Sequence, residues 1–137
     1  MEQSSKRILV VEDDTLVRRS FVRMMEVEKY QVYGAASCAE GLKKLHRSRF
    51  DLILTDIRLG DESGMKILER AKKINPNIIV FMVTGYSSLE SMKKAMKNGA
   101  SDYIVKPVDM DLLLLKIKTA LERVPRPSDQ SPESTSI

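Results

Sequence analysis

Cysteine and histidine each occur once in these 137 residues. A lone Cys38 cannot close an internal disulfide, and one thiol in a chain of this size fits a reducing compartment. One Cys and one His are too few to build a thiolate-type zinc site. No apolar stretch approaches the ~20 residues that a bilayer-spanning helix needs. The start, Met1-Glu2-Gln3-Ser4-Ser5-Lys6-Arg7, is polar, and the apolar run behind it is short. No signal peptide is read there, and a cytoplasmic location is expected. Aromatics make up only 5% of the chain, and none interleave with a basic stripe, so direct nucleic-acid binding is not expected despite a net charge of +4. Lysine and arginine are instead spread over every expected helix (Arg18, Lys43, Lys72, Lys93, Lys97, Lys116), as on solvated outer faces. Internal repeats are absent too. What is present, 42% hydrophobic and 31% charged residues, suits one globular domain with its own core.

Apolar runs too short for membranes are the right length for strands. Ile8-Leu9-Val10-Val11, Leu52-Ile53-Leu54-Thr55 and Ile78-Ile79-Val80-Phe81-Met82-Val83 read as strands buried on both faces, and Tyr103-Ile104-Val105 as a fifth strand. Tyr30 to Ala35 is more polar and belongs at a sheet edge. Between the strands lie helical patterns. Val17, Phe21 and Met24 share a face behind an Asp14 N-cap. Ser37-Cys38-Ala39-Glu40 is a capping box opening a helix whose apolar face is Cys38, Leu42 and Leu45, which makes Cys38 a core residue. Ser63 is the expected cap of a third helix carrying Ile67, Leu68, Ala71 and Ile74, ended at Asn75-Pro76. Ser87-Ser88-Leu89-Glu90 reads as a second capping box, with Leu89, Met92 and Met96 as a thin apolar stripe and a stop at Asn98-Gly99. A fifth helix is expected from about Asp109 to Val124. Strand and helix alternate throughout, which predicts a parallel five-stranded sheet, doubly wound with helices on both faces, in the flavodoxin-like order 2-1-3-4-5. Residues 1–7 are expected to be a tail, 8–124 the domain, and 125–137, rich in Pro and Ser, a linker or disordered end.

Four strands end in groups with chemistry: Glu12-Asp13-Asp14, Asp56, Thr84 and Lys106. Singly, each has a plain explanation as a turn, a cap or a solvated charge. A parallel sheet, however, brings all four ends to one edge, where open α/β sheets bind ligands. Glu12, Asp13 and Asp56 form a hard oxygen-rich set suited to Mg²⁺, whose charge relieves the crowding of three carboxylates. With Thr84 and Lys106 to stabilise phosphoryl oxygens, Asp56 is placed as a nucleophile forming an aspartyl phosphate. Gly85, lacking a side chain, leaves room beside Thr84.

Four motifs extend this reading: Val10-Val11-Glu12-Asp13-Asp14, Leu54-Thr55-Asp56-Ile57-Arg58-Leu59, Val83-Thr84-Gly85, and Gly99-Ala100-Ser101-Asp102-Tyr103-Ile104-Val105-Lys106-Pro107. Together they resemble the receiver domains of two-component response regulators, over Ile8 to about Leu121. The resemblance implies Glu12 and Asp13 as the acidic pair, with Asp13 the closer metal ligand, and Asp56 as phosphoacceptor. It implies that the backbone carbonyl of Arg58 completes the Mg²⁺ shell and that Lys106-Pro107 is a cis peptide. Tyr103 matches the aromatic that changes rotamer with Thr84, and Arg58 and Tyr86 occupy the positions that tune phosphoryl lifetime. Where receivers commonly carry proline, four residues after the phosphoacceptor, this chain has Gly60.

The implied partners are a sensor histidine kinase or phosphotransfer protein and an output, either a C-terminal effector domain or a separate protein. A homodimer through helix four, strand five and helix five is a further expectation, and a membrane partner is not expected. Two other readings stay open at this level. One is a non-phosphorylated interaction module, for which the full set Asp13, Asp56, Thr84 and Lys106 is superfluous. The other is a Mg²⁺-dependent phosphatase with an aspartyl intermediate, which would carry its nucleophile after the first strand rather than the third.

Overall fold

The computed structural model describes residues 5–123. Ten main elements alternate: β1 (Arg7–Val11), α1 (Thr15–Val27), β2 (Gln31–Ala35), α2 (Cys38–Arg47), β3 (Leu52–Asp56), α3 (Met65–Ile74), β4 (Ile79–Thr84), α4 (Leu89–Lys97), β5 (Asp102–Val105) and α5 (Met110–Arg123). The five strands form one parallel sheet in the order β2-β1-β3-β4-β5, as expected.

Successive strand side chains point to opposite faces, so a strand covered on both sides must be apolar at every position. Leu9, Val11, Ile53, Val80 and Met82 face α2, α3 and Ala95 of α4. Ile8, Val10, Leu52, Leu54, Phe81 and Val83 face Phe21 and Met25 of α1 and Leu113, Ile117 and Leu121 of α5. The result is a three-layer sandwich with two cores, and every residue of β3 and β4 is buried. Both edge strands are more open than the central three: β2 buries only Ala35, and β5 is at most partly buried throughout.

Several local expectations hold. Asp14 caps α1, accepting from Val17 N, and Ser37 Oγ caps α2, accepting from Glu40 N. Cys38 is a free, buried core residue. α3 ends at Asn75 and α4 at Asn98, followed by Gly99 with a φ of +102°.

Others need correction. Arg7 is the first residue of β1 rather than part of a tail, and its N–H donates to Asp51 Oδ2. On α1 the fully buried residue is Met25, while Met24 packs only partly. Ile74 is half-exposed. Position Gly64, not Ser63, caps α3. Ser63 sits in a two-stranded ribbon pairing Arg58–Leu59 with Glu62–Ser63, from which its Oγ still accepts from Met65 N. Ser88, not Ser87, caps α4, accepting from Ser91 N. The stripe Leu89, Met92 and Met96 faces out, and Ala95 is the buried residue of that helix. The expected linker 125–137 and Val124 lie outside the described residues.

Candidate functional site

The carboxyl ends of β1, β3, β4 and β5 meet at one edge because parallel pairing keeps them in step. Val11 pairs with Thr55, Asp56 with Val83, and Thr84 with Val105. Each strand's next residue therefore enters the same space.

Lys106 links the acids. Its Nζ donates to Asp56 Oδ2 at 2.8 Å and to Glu12 Oε1 at 2.9 Å. Both carboxylates are buried, Glu12 at 2% exposure and Asp56 at 7%. Burial raises the Glu12 carboxyl above its ordinary range, only partly offset by Lys106 and the Asp14 N–H, with the charge of Asp56 raising it further. Burial alone would lower the Lys106 ammonium, but its hydrogen bonds to Asp56 and Glu12 outweigh that and hold it above its ordinary value. The second oxygen of each acid is occupied as well: Asp56 Oδ1 accepts from Arg58 N, and Glu12 Oε2 from Asp14 N. Such charge-assisted bonds orient the carboxylates before any ligand arrives.

Asp13 differs in being exposed, and its Oδ2 accepts from Gly60 N at 3.1 Å. One oxygen from each of Glu12, Asp13 and Asp56 lies within 4.8 Å of the others. Neighbouring ligands of octahedral Mg²⁺ are about 3 Å apart and opposite ones about 4.2 Å, and that ion keeps several waters, so three oxygens gathered this closely can hold it by drawing in on the ion. The donor set is all oxygen, hard and negatively charged, which suits a divalent cation of this kind and not a soft metal.

Thr84 is fully buried at the end of β4, and its Oγ1 accepts from Tyr86 N, leaving the hydroxyl proton to donate elsewhere. Lys106 N donates to the Thr84 carbonyl, and Lys106-Pro107 is cis, as the resemblance implied. A Cβ at Gly85 would approach only Lys106 Cδ, at 3.9 Å, so this glycine is roomy rather than obligatory. Arg58 and Tyr86 touch: the guanidinium lies 4.1 Å from the ring centroid, over exposed residues at the rim. Tyr103, the expected switch aromatic, is placed between the core and α4. It is half-buried against the α2–α3 core, its hydroxyl 2.6 Å from Ser91 Oγ on α4.

Sequence reasoning missed four contributors. Gly64 approaches so closely that a Cβ there would stand 1.9 Å from the Asp56 carbonyl oxygen. Arg18 Nη1 donates to the Glu12 carbonyl at 2.7 Å. Gly60 N–H and Ser91 Oγ complete the set. A glycine directly before a helix was the available signal for Gly64. The others carry no local signal, since they act across the fold.

The profile of the family described as response regulator receiver domain matches residues 8–118. The transcriptional regulatory protein ZraR of Klebsiella oxytoca is 38% identical over 114 residues, which is 83% of this chain and 26% of that protein. The alginate biosynthesis transcriptional regulatory protein AlgB of Pseudomonas putida is 36% identical over 88% of this chain and 27% of its own length. The chain thus spans about a quarter of the length of these relatives. Among solved structures, a CheY-like receiver domain protein from Methanospirillum hungatei superposes with a TM-score of 0.84 at 45% identity, covering 87% of this chain and 95% of that one.

Proposed function

The chain belongs to the family of response regulator receiver domains, and on that premise we propose that it accepts a phosphoryl group on Asp56 from a histidine kinase or phosphotransfer protein. The observation that carries this reading is Lys106 Nζ held between Asp56 Oδ2 and Glu12 Oε1. An ammonium already on the nucleophile's oxygen is placed to neutralise the phosphoryl oxygens as the new bond forms. Glu12, Asp13, Asp56 and the Arg58 carbonyl would hold Mg²⁺, which when bound supplies positive charge for those same oxygens. Arg58 N–H orients Asp56 by its bond to Oδ1. Thr84 would donate a hydrogen bond from its hydroxyl to a phosphoryl oxygen, drawing the end of β4 toward the site. Arg58 and Tyr86 screen the mouth from attacking water.

The output side of the proposal rests on the face formed by α4, β5 and α5. Leu89, Met92 and Met96 of α4, Val105 of β5, and Leu112 and Leu115 of α5 are exposed, and large apolar side chains of this kind are what a partner would cover. An effector domain, a separate output protein or a second copy of this chain would be that partner. No helix among the described residues is long and apolar enough to cross a membrane.

Treatment with acetyl phosphate tests the reading. A mass increment confined to Asp56, requiring Mg²⁺ and lost in Asp56→Asn, is the expected result. Asp13→Asn should weaken Mg²⁺ binding sharply and Asp14→Asn should not. An unmodified Asp56 would favour a non-phosphorylated interaction module instead.

A further inference from the structure

We propose that Gly60 is a positioning residue of the cation site, its N–H fixing the Asp13 carboxylate across the gap between the β1–α1 and β3–α3 loops. The inference rests on the Mg²⁺ reading above and adds to it a residue that carries no side chain. Asp13 is the exposed member of the acidic trio, so nothing packs its side chain into one rotamer. Among the described residues, its carboxylate accepts one hydrogen bond, from Gly60 N at 3.1 Å. That bond fixes the carboxylate in the group where one oxygen of each acid lies within 4.8 Å of the others.

The backbone explains why glycine stands here. Leu59 pairs with Glu62, so Gly60 and Asp61 are the two linking residues of a tight hairpin. Gly60 has a φ of +63°, while Asp61 is not left-handed. This is the hairpin turn that takes glycine at its first linking position. A Cβ at Gly60 would meet nothing within 4 Å, so the requirement is conformational and not steric. Proline would fail twice over, because its ring holds φ near ~−65° and it has no N–H to give. The same hairpin carries Arg58, whose N–H orients Asp56. One turn therefore sets two of the three carboxylates.

A turn glycine with an incidental N–H contact is the plainer alternative, and it predicts different results. The Gly60 amide proton, observed by NMR in metal-free protein, should move markedly upfield in Asp13→Ala if the charge-assisted bond exists. An unmoved resonance overturns the proposal, whatever any metal does. Mg²⁺ affinity by titration calorimetry supplies the second arm. Gly60→Asn tolerates positive φ and keeps the N–H, so it should bind within about twofold of the parent. Gly60→Pro should bind about tenfold more weakly, the scale of one charge-assisted hydrogen bond. Equal affinity in a folded Gly60→Pro overturns the positioning role alone. Should Gly60→Pro not fold, the NMR arm and Gly60→Asn still decide. A parent that binds no Mg²⁺, or an Asp13→Asn that binds as the parent does, would instead overturn the cation site itself.

Discussion

The Arg58 guanidinium stacks on the Tyr86 ring at 4.1 Å from its centroid, joining the loop after β3 to the loop after β4. On the proposed reading that the two side chains screen Asp56, the stack makes them act as one body, so their contributions should not add. Arg58→Ala and Tyr86→Ala are each expected to speed loss of the phosphoryl group by about two- to fivefold, the scale of an exposed cation–π contact. The double variant should decay little faster than either single one. Following the phosphoprotein after removal of excess acetyl phosphate gives the four rates. Strictly multiplicative effects would mean that the stack is not the screen.

Glu12 sits above its ordinary value of 4.5 because it is buried beside another acid. A carboxyl that binds its proton more readily folded than unfolded lends stability below 4.5, and that contribution is lost as pH rises through the folded value. In EDTA, the parent should therefore gain stability relative to Glu12→Gln as pH falls from 7 toward 4.5. At neutral pH, Glu12→Gln should be at least as stable as the parent, since glutamine can still accept from Lys106. Urea melts of both proteins at several pH values measure this. A parent that loses stability against Glu12→Gln over that window contradicts the assignment.

Gly64→Ala sets a new Cβ 1.9 Å from a backbone oxygen, which no side-chain movement relieves. The loop must shift, at a cost of about 1–3 kcal/mol or more. Because that oxygen belongs to Asp56, phosphorylation should fall as well. Gly60→Ala has open space and meets only its left-handed backbone, a cost of about 1–2 kcal/mol. Urea denaturation should rank Gly64→Ala as the more damaging of the two.

Tyr103 is tethered by its hydroxyl to Ser91 Oγ, which also donates to the Ser88 carbonyl at the start of α4. Ser91→Ala should release the ring and move the amide spectrum of residues 87–108 even without beryllofluoride. Thr84→Ala should still take a phosphoryl group, yet show a blunted beryllofluoride response over the same residues. A Thr84→Ala spectrum that responds as fully as the parent's would disconnect Thr84 from Tyr103.

The sheet and its reactive edge were legible because buried parallel strands leave long apolar runs, and the acids, Thr84 and Lys106 stand where those runs stop. Element orientation was harder to read. Ser87-Ser88-Leu89-Glu90-Ser91 contains two overlapping frames for a cap, and the chain uses the one ending at Ser91. On α4 the apolar residues by count are Leu89, Met92 and Met96, but close approach to the sheet selects the small Ala95. Met24 and Met25 are adjacent, so pattern alone does not choose between them. Gly60 reads as a departure from the family pattern, and only the fold shows its N–H at Asp13. Contacts between residues 47 apart leave no trace in local composition.

Ala95 as the one fully buried side chain of α4 has a thermodynamic consequence. At ~25 cal/mol per Å² of apolar surface, an alanine methyl anchors a helix far more weakly than the four buried side chains of α3. Rotating or sliding α4 by part of a turn uncovers little hydrocarbon, and so changes heat capacity and free energy only slightly. With the fewest buried side chains of the five helices, α4 is the one whose position should respond most to the hydrogen bonds at its N-terminus.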